Sequence, residues 1–337
     1  MTFCYTKMKT VDFSQRLKTI RHLFGLSMEQ LVQQMNVPIS RQSIYKYESG
    51  AMLPKPEVMQ ELCRVLRVDS ILTEGHSFRL SPLMPRLVKG GKITTEVYQQ
   101  LCFQVCAWLE RYINDEKATG QYRKFVRPDL IHPAKDAKDA EEAASRLRDC
   151  WKIGECPIPS ILRMLERKGI RFFETSLPTQ LLGLSLWADN IYPVIVLNND
   201  WQSNTVERLR FTVAHELGHL LLNFADGADE ERICNQFAGC LLMPRNVLYE
   251  EIGEKRDFLT LDELIDLREQ YGVSISALIH QAFDLGIISR KHYDWWYEEQ
   301  IHLNIKEEGW GAYAFTESLG RHRRIQSIMT NKENQKL

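Results

Sequence analysis

Long apolar runs are absent from this sequence. A membrane-spanning helix takes roughly 20 consecutive apolar residues, and no stretch of the 337-residue chain approaches that length. The first residues, MTFCYTKMKTVDF, also lack the apolar core of a secretory signal peptide. We therefore expect a cytoplasmic protein that has no membrane partner.

Paired cysteines and biased tracts are missing too. The eight cysteines are scattered, and none forms the Cys-x-x-Cys pair of many structural zinc sites. We interpret them as buried thiols rather than ligands or disulfides, which suits a reducing compartment. With 44% hydrophobic and 26% charged residues, the composition is that of an ordinary globular protein.

Net charge is close to neutral, at −1, but it is unevenly distributed. Between residues 14 and 68, eight lysines and arginines face four glutamates, so this segment is basic. A chain of 337 residues exceeds what one hydrophobic core usually supports. We expect at least two domains, of which the first is positively charged.

Four short helices are predicted in the basic segment. Ser27 and Gln30 have the spacing of a capping box before the second helix, and Ser40 can cap the third. Gly25 and Gly50 end the first and third helices. The predicted helices cover residues 14–24, 28–35, 40–48 and 56–68.

The third helix has the chemistry of a major-groove reader. Arginine pairs with guanine, glutamine with adenine, and lysine with phosphate, and two short helices joined by a turn suit this task. An alternative is a helical module that docks another protein. The candidate DNA-binding residues, all on the exposed side of the predicted helix, are Arg41, Gln42, Ser43 and Lys46.

This segment resembles the XRE family of Cro- and repressor-like helix-turn-helix domains. The resemblance is carried by residues 26–32 (LSMEQLV), 40–50 (SRQSIYKYESG) and 53–54 (LP), and it covers about residues 13–69. It implies that the third helix is the recognition helix and that double-stranded operator DNA is a partner. Gln42, Ser43 and Lys46 are then the expected contacts.

A linker region is predicted from residue 70 to residue 137. Glycines and prolines recur through residues 70–92, and this composition predicts loop structure and a domain boundary. Residues 93–118 have the apolar periodicity of one long helix, and residues 123–137 are expected to be linker again. This helix could also serve a homodimer, since helix-turn-helix proteins often bind paired half-sites.

The segment FTVAHELGHLLL, residues 211–222, contains the pattern His-Glu-x-x-His. Four residues make about 400° of helix, so His215 and His219 share one face and can bind one zinc ion. Glu216 is then placed as the general base that activates water. The alternative is a hydrogen-bonded histidine pair in a protein core.

Zinc in a catalytic site needs a third protein ligand. Asp229, Glu230 and Glu231 are the candidates downstream. We favour Glu231, because Asn235 follows one helical turn later and can hydrogen-bond a ligand from the second shell.

Beyond the motif, the chain resembles the ImmA/IrrE family of zinc metallo-endopeptidases. The resemblance rests on residues 210–222, residues 231–244 (ERICNQFAGCLLMP), residues 157–170, 192–198 and 271–279, and it spans about residues 138–315. It implies a zincin-like domain with Zn²⁺ held by His215, His219 and Glu231. It also implies regulatory cleavage of helix-turn-helix repressors in stress or mobile-element responses.

We therefore predict an α+β protein with an all-α helix-turn-helix bundle (residues 13–69), a linker with a long helix (70–137), a mainly helical peptidase domain with a small sheet (138–315) and a basic, flexible tail (316–337). Segment 184–197 is the candidate edge for extended substrate. The predicted function is a DNA-binding regulator with zinc-dependent endopeptidase activity. The alternative is a transcription factor whose peptidase-like domain senses or binds a partner without hydrolysis.

Overall fold

A computed structural model describes residues 12–75, 78–81, 84–87, 95–130, 133–176, 181–199 and 205–334. Contacts divide the chain into two compact units. One contains the N-terminal helices and the long helix, and the other contains the sheet and most of the remaining helices. The predicted α+β class is confirmed. Among the described residues, no helix combines the length and apolarity needed to cross a membrane.

The first unit is built from short helices whose starts are set by capping residues. Ser27 and Gln30 form the predicted capping box, and the Ser40 hydroxyl accepts from the Ser43 amide. Pro56 occupies the first turn of its helix, where a missing N–H costs nothing. The helices are α1 (Phe13–Leu23), α2 (Met28–Gln33), α3 (Arg41–Glu48), α4 (Pro56–Leu66), α5 (Ser70–Thr73) and α6 (Thr95–Ala118).

Helix α6 belongs to this unit and helps to close its core. Phe103, Cys106 and Ala107 are buried in the same apolar cluster as the side chains of α1, α3 and α4. The Glu110 carboxylate accepts hydrogen bonds from the backbone amides at 69, 70 and 71, at the start of α5. One face of the helix predicted as a linker therefore completes the helical bundle.

A four-stranded sheet lies in the second unit, with the order β1-β3-β4-β2. Strand β2 runs parallel to β4, while β3 is antiparallel to both β4 and β1. Strand β1 and helix α5 both lie within residues 70–92, where the sequence predicts loop, so that prediction is wrong for these two segments. The strands are β1 (Met84–Leu87), β2 (Arg171–Thr175), β3 (Leu181–Ala188) and β4 (Tyr192–Asn198).

Helices form the rest of the second unit. Thr260 and Glu263 form a capping box at the start of α12, and Ser160, after two prolines, caps α8. A short π-helix, Tyr297–Ile301, continues α14. The helices are α7 (Ala137–Trp151), α8 (Ile161–Lys168), α9 (Val206–Leu221), α10 (Glu230–Leu242), α11 (Arg245–Ile252), α12 (Leu261–Tyr271), α13 (Ile275–Asp284) and α14 (Arg290–Trp296).

The region predicted as a flexible tail, residues 316–337, is largely helical. Helix α15 spans Gly320–Asn334, and residues 335–337 lie outside the described residues. Leu319 and Ile325 are buried, and the Arg321 amide donates to the Glu166 carboxylate. The basic residues of this segment suggest a solvated tail, but the segment also contains buried apolar side chains and a specific hydrogen bond.

Among the cysteines that the structure describes, two are exposed and Cys63 is half-buried, so the prediction of buried thiols is wrong for these two exposed residues. Cys102, Cys106, Cys234 and Cys240 are buried, whereas Cys150 and Cys156 are exposed at the end of α7 and in the following loop.

Candidate metal centre and recognition helix

Helices α9 and α10 approach each other closely at Gly218, which sets the geometry of the centre. Thr205 caps α9 and Asp229 caps α10. A methyl group built on Gly218 would come within 3.0 Å of Cys234 Sγ and 3.3 Å of Phe237 Cδ1. Because glycine has no side chain, α9 can approach α10 at this point. The short helix separation brings the first turn of α10 to the histidines of α9.

Three side chains meet where the two helices cross. The Nε2 atoms of His215 and His219 are 3.1 Å apart, and Glu231 Oε1 lies 3.2 Å from His219 Nε2. Glu231 Oε2 lies 3.4 Å from His215 Nε2. Within the described residues, this is the group whose ligand atoms are close enough to share a metal ion. Asp229 instead accepts from the Arg232 amide, as the cap of α10.

These distances fit a tetrahedral zinc ion. Ligand atoms placed 2.0–2.2 Å from tetrahedral zinc lie roughly 3.3–3.6 Å from one another. The histidine nitrogens are 3.1 Å apart, and they lie 3.2 and 3.4 Å from the two different oxygens of Glu231, so each separation is within about 0.2 Å of this range. Two imidazoles and one carboxylate are also a donor set that zinc accepts in catalytic sites.

The orientation of His215 is fixed by a neighbour. Its Nδ1 lies 2.9 Å from Asn235 Oδ1, and an amide oxygen can only accept, so Nδ1 carries the proton. Once Nε2 is also deprotonated, the neutral ring has its lone pair on the side of His219 and Glu231. A histidine that is held in this tautomer is prepared to bind a metal.

Electrostatics keep the carboxylate of the cluster ionised. Hydrogen bonds from His215 and His219 hold the pKa of Glu231 well below its usual range, although burial acts in the opposite direction. Burial is also the largest influence on His219 and opposes its charge, but the Glu231 hydrogen bond and nearby carboxylates outweigh it and raise its pKa. The cluster therefore offers a fixed negative charge beside two imidazoles.

Glu216 lies on the sheet side of α9. Its side chain is fully buried, and a methyl group on Gly183 would come within 3.6 Å of Glu216 Cγ and 3.1 Å of Thr212 Cγ2. Strand β3 thus passes directly across Glu216 at Gly183. Sequence patterns single out Glu216 but not Gly183, whose importance comes only from this tertiary approach.

An open cleft of about 1930 Å³ extends from the cluster. Glu231, Asn235 and Thr212 line it beside the centre, and α7, α13 and residues 305–308 form its other walls. A cleft of this size and openness admits a segment of polypeptide.

Buried ion pairs that the sequence does not reveal anchor the metal-bearing helix. Arg210 on α9 donates to Glu317 and to the carbonyls of Ile158, Tyr271 and Gly272. On the preceding turn, Glu207 accepts from Arg268. These contacts hold the first half of α9 against the helices around it.

On α3, the predicted DNA contacts lie on the exposed side. Arg41, Gln42 and Lys46 are exposed and Ser43 is half-buried, while Ile44 and Tyr47 point into the core. Arg41 also forms an exposed ion pair with Glu29 of α2, at 2.6 Å. Tyr45, 63% exposed, lies on the same side and was not among the predicted contacts.

Comparison with protein families gives two matches. Residues 17–71 match the helix-turn-helix family model, and they cover most of α1 and all of α2, α3 and α4. Residues 165–283 match the IrrE N-terminal-like domain of a peptidase family, over a range that includes the whole His-His-Glu cluster. A comparison with curated proteins found no match. The second family suggests a metallopeptidase, and the metal that it implies is usually zinc.

Proposed function

We propose that this chain, which joins an XRE-type helix-turn-helix DNA-binding domain to an IrrE/ImmA-like peptidase domain, is a transcriptional regulator with zinc-dependent endopeptidase activity. The observation that carries the proposal is the grouping of His215 Nε2, His219 Nε2 and the Glu231 carboxylate, whose oxygens Oε2 and Oε1 lie 3.4 and 3.2 Å from the two nitrogens, which are themselves 3.1 Å apart. A histidine pair that only filled a core would not need a carboxylate at these distances.

In this proposal, His215, His219 and Glu231 hold the zinc ion, and Asn235 keeps His215 in the required tautomer. Zinc in such a site polarises a peptide carbonyl and makes water a stronger acid. Glu216 takes a proton from the attacking water and delivers it to the amine that leaves. Burial among α9 and β3 limits the movement of its carboxylate.

The proposed substrate is a protein, and specifically a helix-turn-helix repressor. An open cleft beside the cluster supports a polypeptide substrate over a small molecule. The attached DNA-binding domain supports a role in gene regulation rather than in general digestion. Cleavage would then relieve repression during a stress or mobile-element response.

For the DNA-binding half, we propose that α3 enters the major groove of an operator. Gln42 and Lys46 are exposed on the side of α3 that is turned away from the core, and Arg41 and Ser43 flank them. Gln42 and Arg41 are suited to base edges, and Lys46 to phosphate.

Metal analysis tests the zinc site. The purified wild-type protein is compared with His215→Ala and Glu216→Gln by elemental analysis. We expect about one zinc ion per chain in the wild type and the Gln variant and much less in the Ala variant, since Glu216 is not a ligand. An equal zinc content in all three proteins, or no zinc in any of them, would contradict the assignment of the zinc site.

Proteolysis is tested with the same proteins. Each is incubated with helix-turn-helix repressors encoded next to its gene, and the fragments are identified by mass spectrometry. We expect fragments from the wild type and none from Glu216→Gln, which keeps the metal but lacks the general base. Zinc binding without any cleavage would favour the non-hydrolytic sensor instead.

A further inference from the structure

Strand β1 pairs with the outer edge of β3, next to the metal centre. Its register sets Met84 opposite Ser185, Pro85 opposite Leu184 and Arg86 opposite Gly183. Gly183 is the residue of β3 that approaches the general-base candidate Glu216. The backbone of β1 therefore runs one strand away from the residue that faces Glu216, at the usual strand spacing of about 4.8 Å.

Building on the proposed function, we infer that β1 is an internal masking strand, which occupies the sheet edge that an extended substrate needs and so prevents a substrate from pairing with that edge. An extended peptide binds a sheet edge by adding a strand, and its main-chain hydrogen bonds supply much of the affinity. The outer edge of β3 is the edge nearest Glu216, because β4 takes the other edge. A substrate can use this edge only after β1 leaves it.

The pairing of β1 is weak enough to be reversed. The strand has four residues, and one of them, Pro85, has no N–H to donate to the ladder. Its register is also irregular between Arg86 and Leu87. In contrast, β3 and β4 pair without interruption from Gly183 to Ala188. Detaching β1 exposes an edge while the rest of the sheet stays intact.

Because β1 is covalently attached, even so short a strand can compete with a substrate peptide for the edge of β3. In chain order, β1 lies between α5 and α6, so it belongs to the same chain as the edge that it covers. A segment tethered by short, flexible linkers acts at an effective concentration in about the millimolar range. Strand β1 therefore outcompetes a peptide that binds only the sheet edge. A substrate that also makes contacts in the cleft binds more tightly and displaces it.

Peptide binding tests this inference without any need for catalysis. All proteins carry Glu216→Gln and are loaded with zinc, and the probe is a fluorescent peptide with the sequence of residues 80–91, LSPLMPRLVKGG. One variant has residues 84–87 replaced by Gly-Ser-Gly-Ser, and a second carries Arg86→Pro, whose ring fixes φ near −65° and so disfavours the fully extended strand conformation. The matched control is Arg86→Thr, which keeps strand propensity.

We expect the Gly-Ser variant to bind the probe at least about tenfold more tightly than the unreplaced protein, with Arg86→Pro between them. Arg86→Thr should bind like the unreplaced protein. Hydrogen–deuterium exchange should report faster exchange of residues 181–188 in the Gly-Ser variant and its reversal by the peptide. Exchange in α9 should not change, which shows that the domain is folded.

Equal peptide affinity in all variants, or unchanged exchange of β3 in the Gly-Ser variant, would overturn the masking role. These readouts are separate from the proposed function. If no protein with an intact Glu216 cleaves any repressor, the peptidase proposal fails while the result for the mask still stands. If cleavage is observed but replacing β1 does not increase its rate, the mask is rejected and the peptidase remains.

Discussion

Arg210 Nη1 and Glu317 Oε1 lie 2.6 Å apart, with both side chains almost completely removed from solvent. Arg210 is on α9, five residues before His215. Glu317 also accepts from the amides of Ile161 and Leu162 at the start of α8. One carboxylate therefore joins the first turn of α8 to the helix that carries the metal cluster.

We expect the Glu317→Gln variant to lower the free energy of unfolding of the C-terminal domain by about 3 kcal/mol or more. All four polar neighbours of this carboxylate donate hydrogen bonds to it, so an amide group places a donor against donors and leaves a buried Arg210 charge without a counterion. Urea unfolding measures the change.

The control for this variant is Glu142→Gln on α7. Glu142 and Arg146 form an ion pair whose side chains are about half exposed, at 52% and 49%. Exposed pairs of this kind contribute no more than about 0.5 kcal/mol. Similar losses in the two variants would contradict a special role for the buried pair.

A second prediction concerns the helix crossing. The Gly218→Ala variant should weaken zinc binding by at least about tenfold, because a methyl group 3.0 Å from Cys234 Sγ pushes α10 and Glu231 away from the histidines. Zinc affinity is measured by competition with a chelator.

Two further variants make this test specific. Gly239→Ala gains the same helix propensity, but its new methyl group would meet nothing closer than 3.8 Å, so zinc affinity should not change. Adding Cys234→Ala to Gly218→Ala removes the Sγ atom and should restore part of the affinity. No restoration would show that the loss does not come from this contact.

Local patterns predicted the parts of the site that depend on helix geometry. The four-residue spacing of His215 and His219 is enough to set them on one face, and Asn235 follows Glu231 by one turn for the same reason. Capping residues such as Ser27 and Thr260 also act within their own turn, and the capping box predicted at Ser27 and Gln30 is confirmed.

Features that depend on distant parts of the chain were not predicted. Gly183 and Glu317 matter only through neighbours far away in sequence, which no local pattern records. Strand β1 was not predicted because its four residues contain one proline and lie among other prolines and glycines. These residues form a strand by pairing with β3, which is distant in sequence. The last helix was missed because its charged residues outnumber its buried ones.

A third prediction concerns the partner of His215. The Asn235→Ala variant should bind zinc about 10- to 100-fold more weakly, because the ring loses the acceptor that fixes its tautomer. Asn235→Asp keeps an acceptor and should retain most of the affinity. Gln236→Ala, one residue away and outside the cluster, is the control. A loss as large in Gln236→Ala would show that any change in α10 disturbs the centre.

A fourth prediction concerns the recognition helix. With a short DNA duplex of mixed sequence, the logarithm of the binding constant falls linearly with the logarithm of the salt concentration, by about 0.9 for each phosphate contact. Lys46→Ala should reduce this slope by about one contact. Lys18 on α1 is also exposed and serves as the matched control, so Lys18→Ala should leave the slope unchanged. Equal effects of the two variants would argue against α3 as the DNA-binding helix.

A fifth prediction is a fall in stability in mild acid that depends on His292. Its Nε2 accepts hydrogen bonds from the Leu259 amide, at 2.9 Å, and from Trp296 Nε1, at 3.1 Å. Burial lowers the pKa of His292, so the folded protein favours the neutral ring. Protonation of Nε2 would break both hydrogen bonds.

The sign of the pH dependence follows from this shift. In the unfolded chain the histidine has its ordinary pKa of about 6.5. Below that pH, the unfolded state takes up the proton before the folded state does, so the stabilising contribution is complete above about 6.5 and is lost as the pH falls towards the folded value. His292→Gln keeps a hydrogen-bond acceptor that does not titrate. The difference in urea midpoint between the wild type and this variant should therefore be constant above about pH 6.5 and should shift in favour of the variant below it. If the difference does not change with pH, folding does not require a neutral His292, and the prediction is wrong.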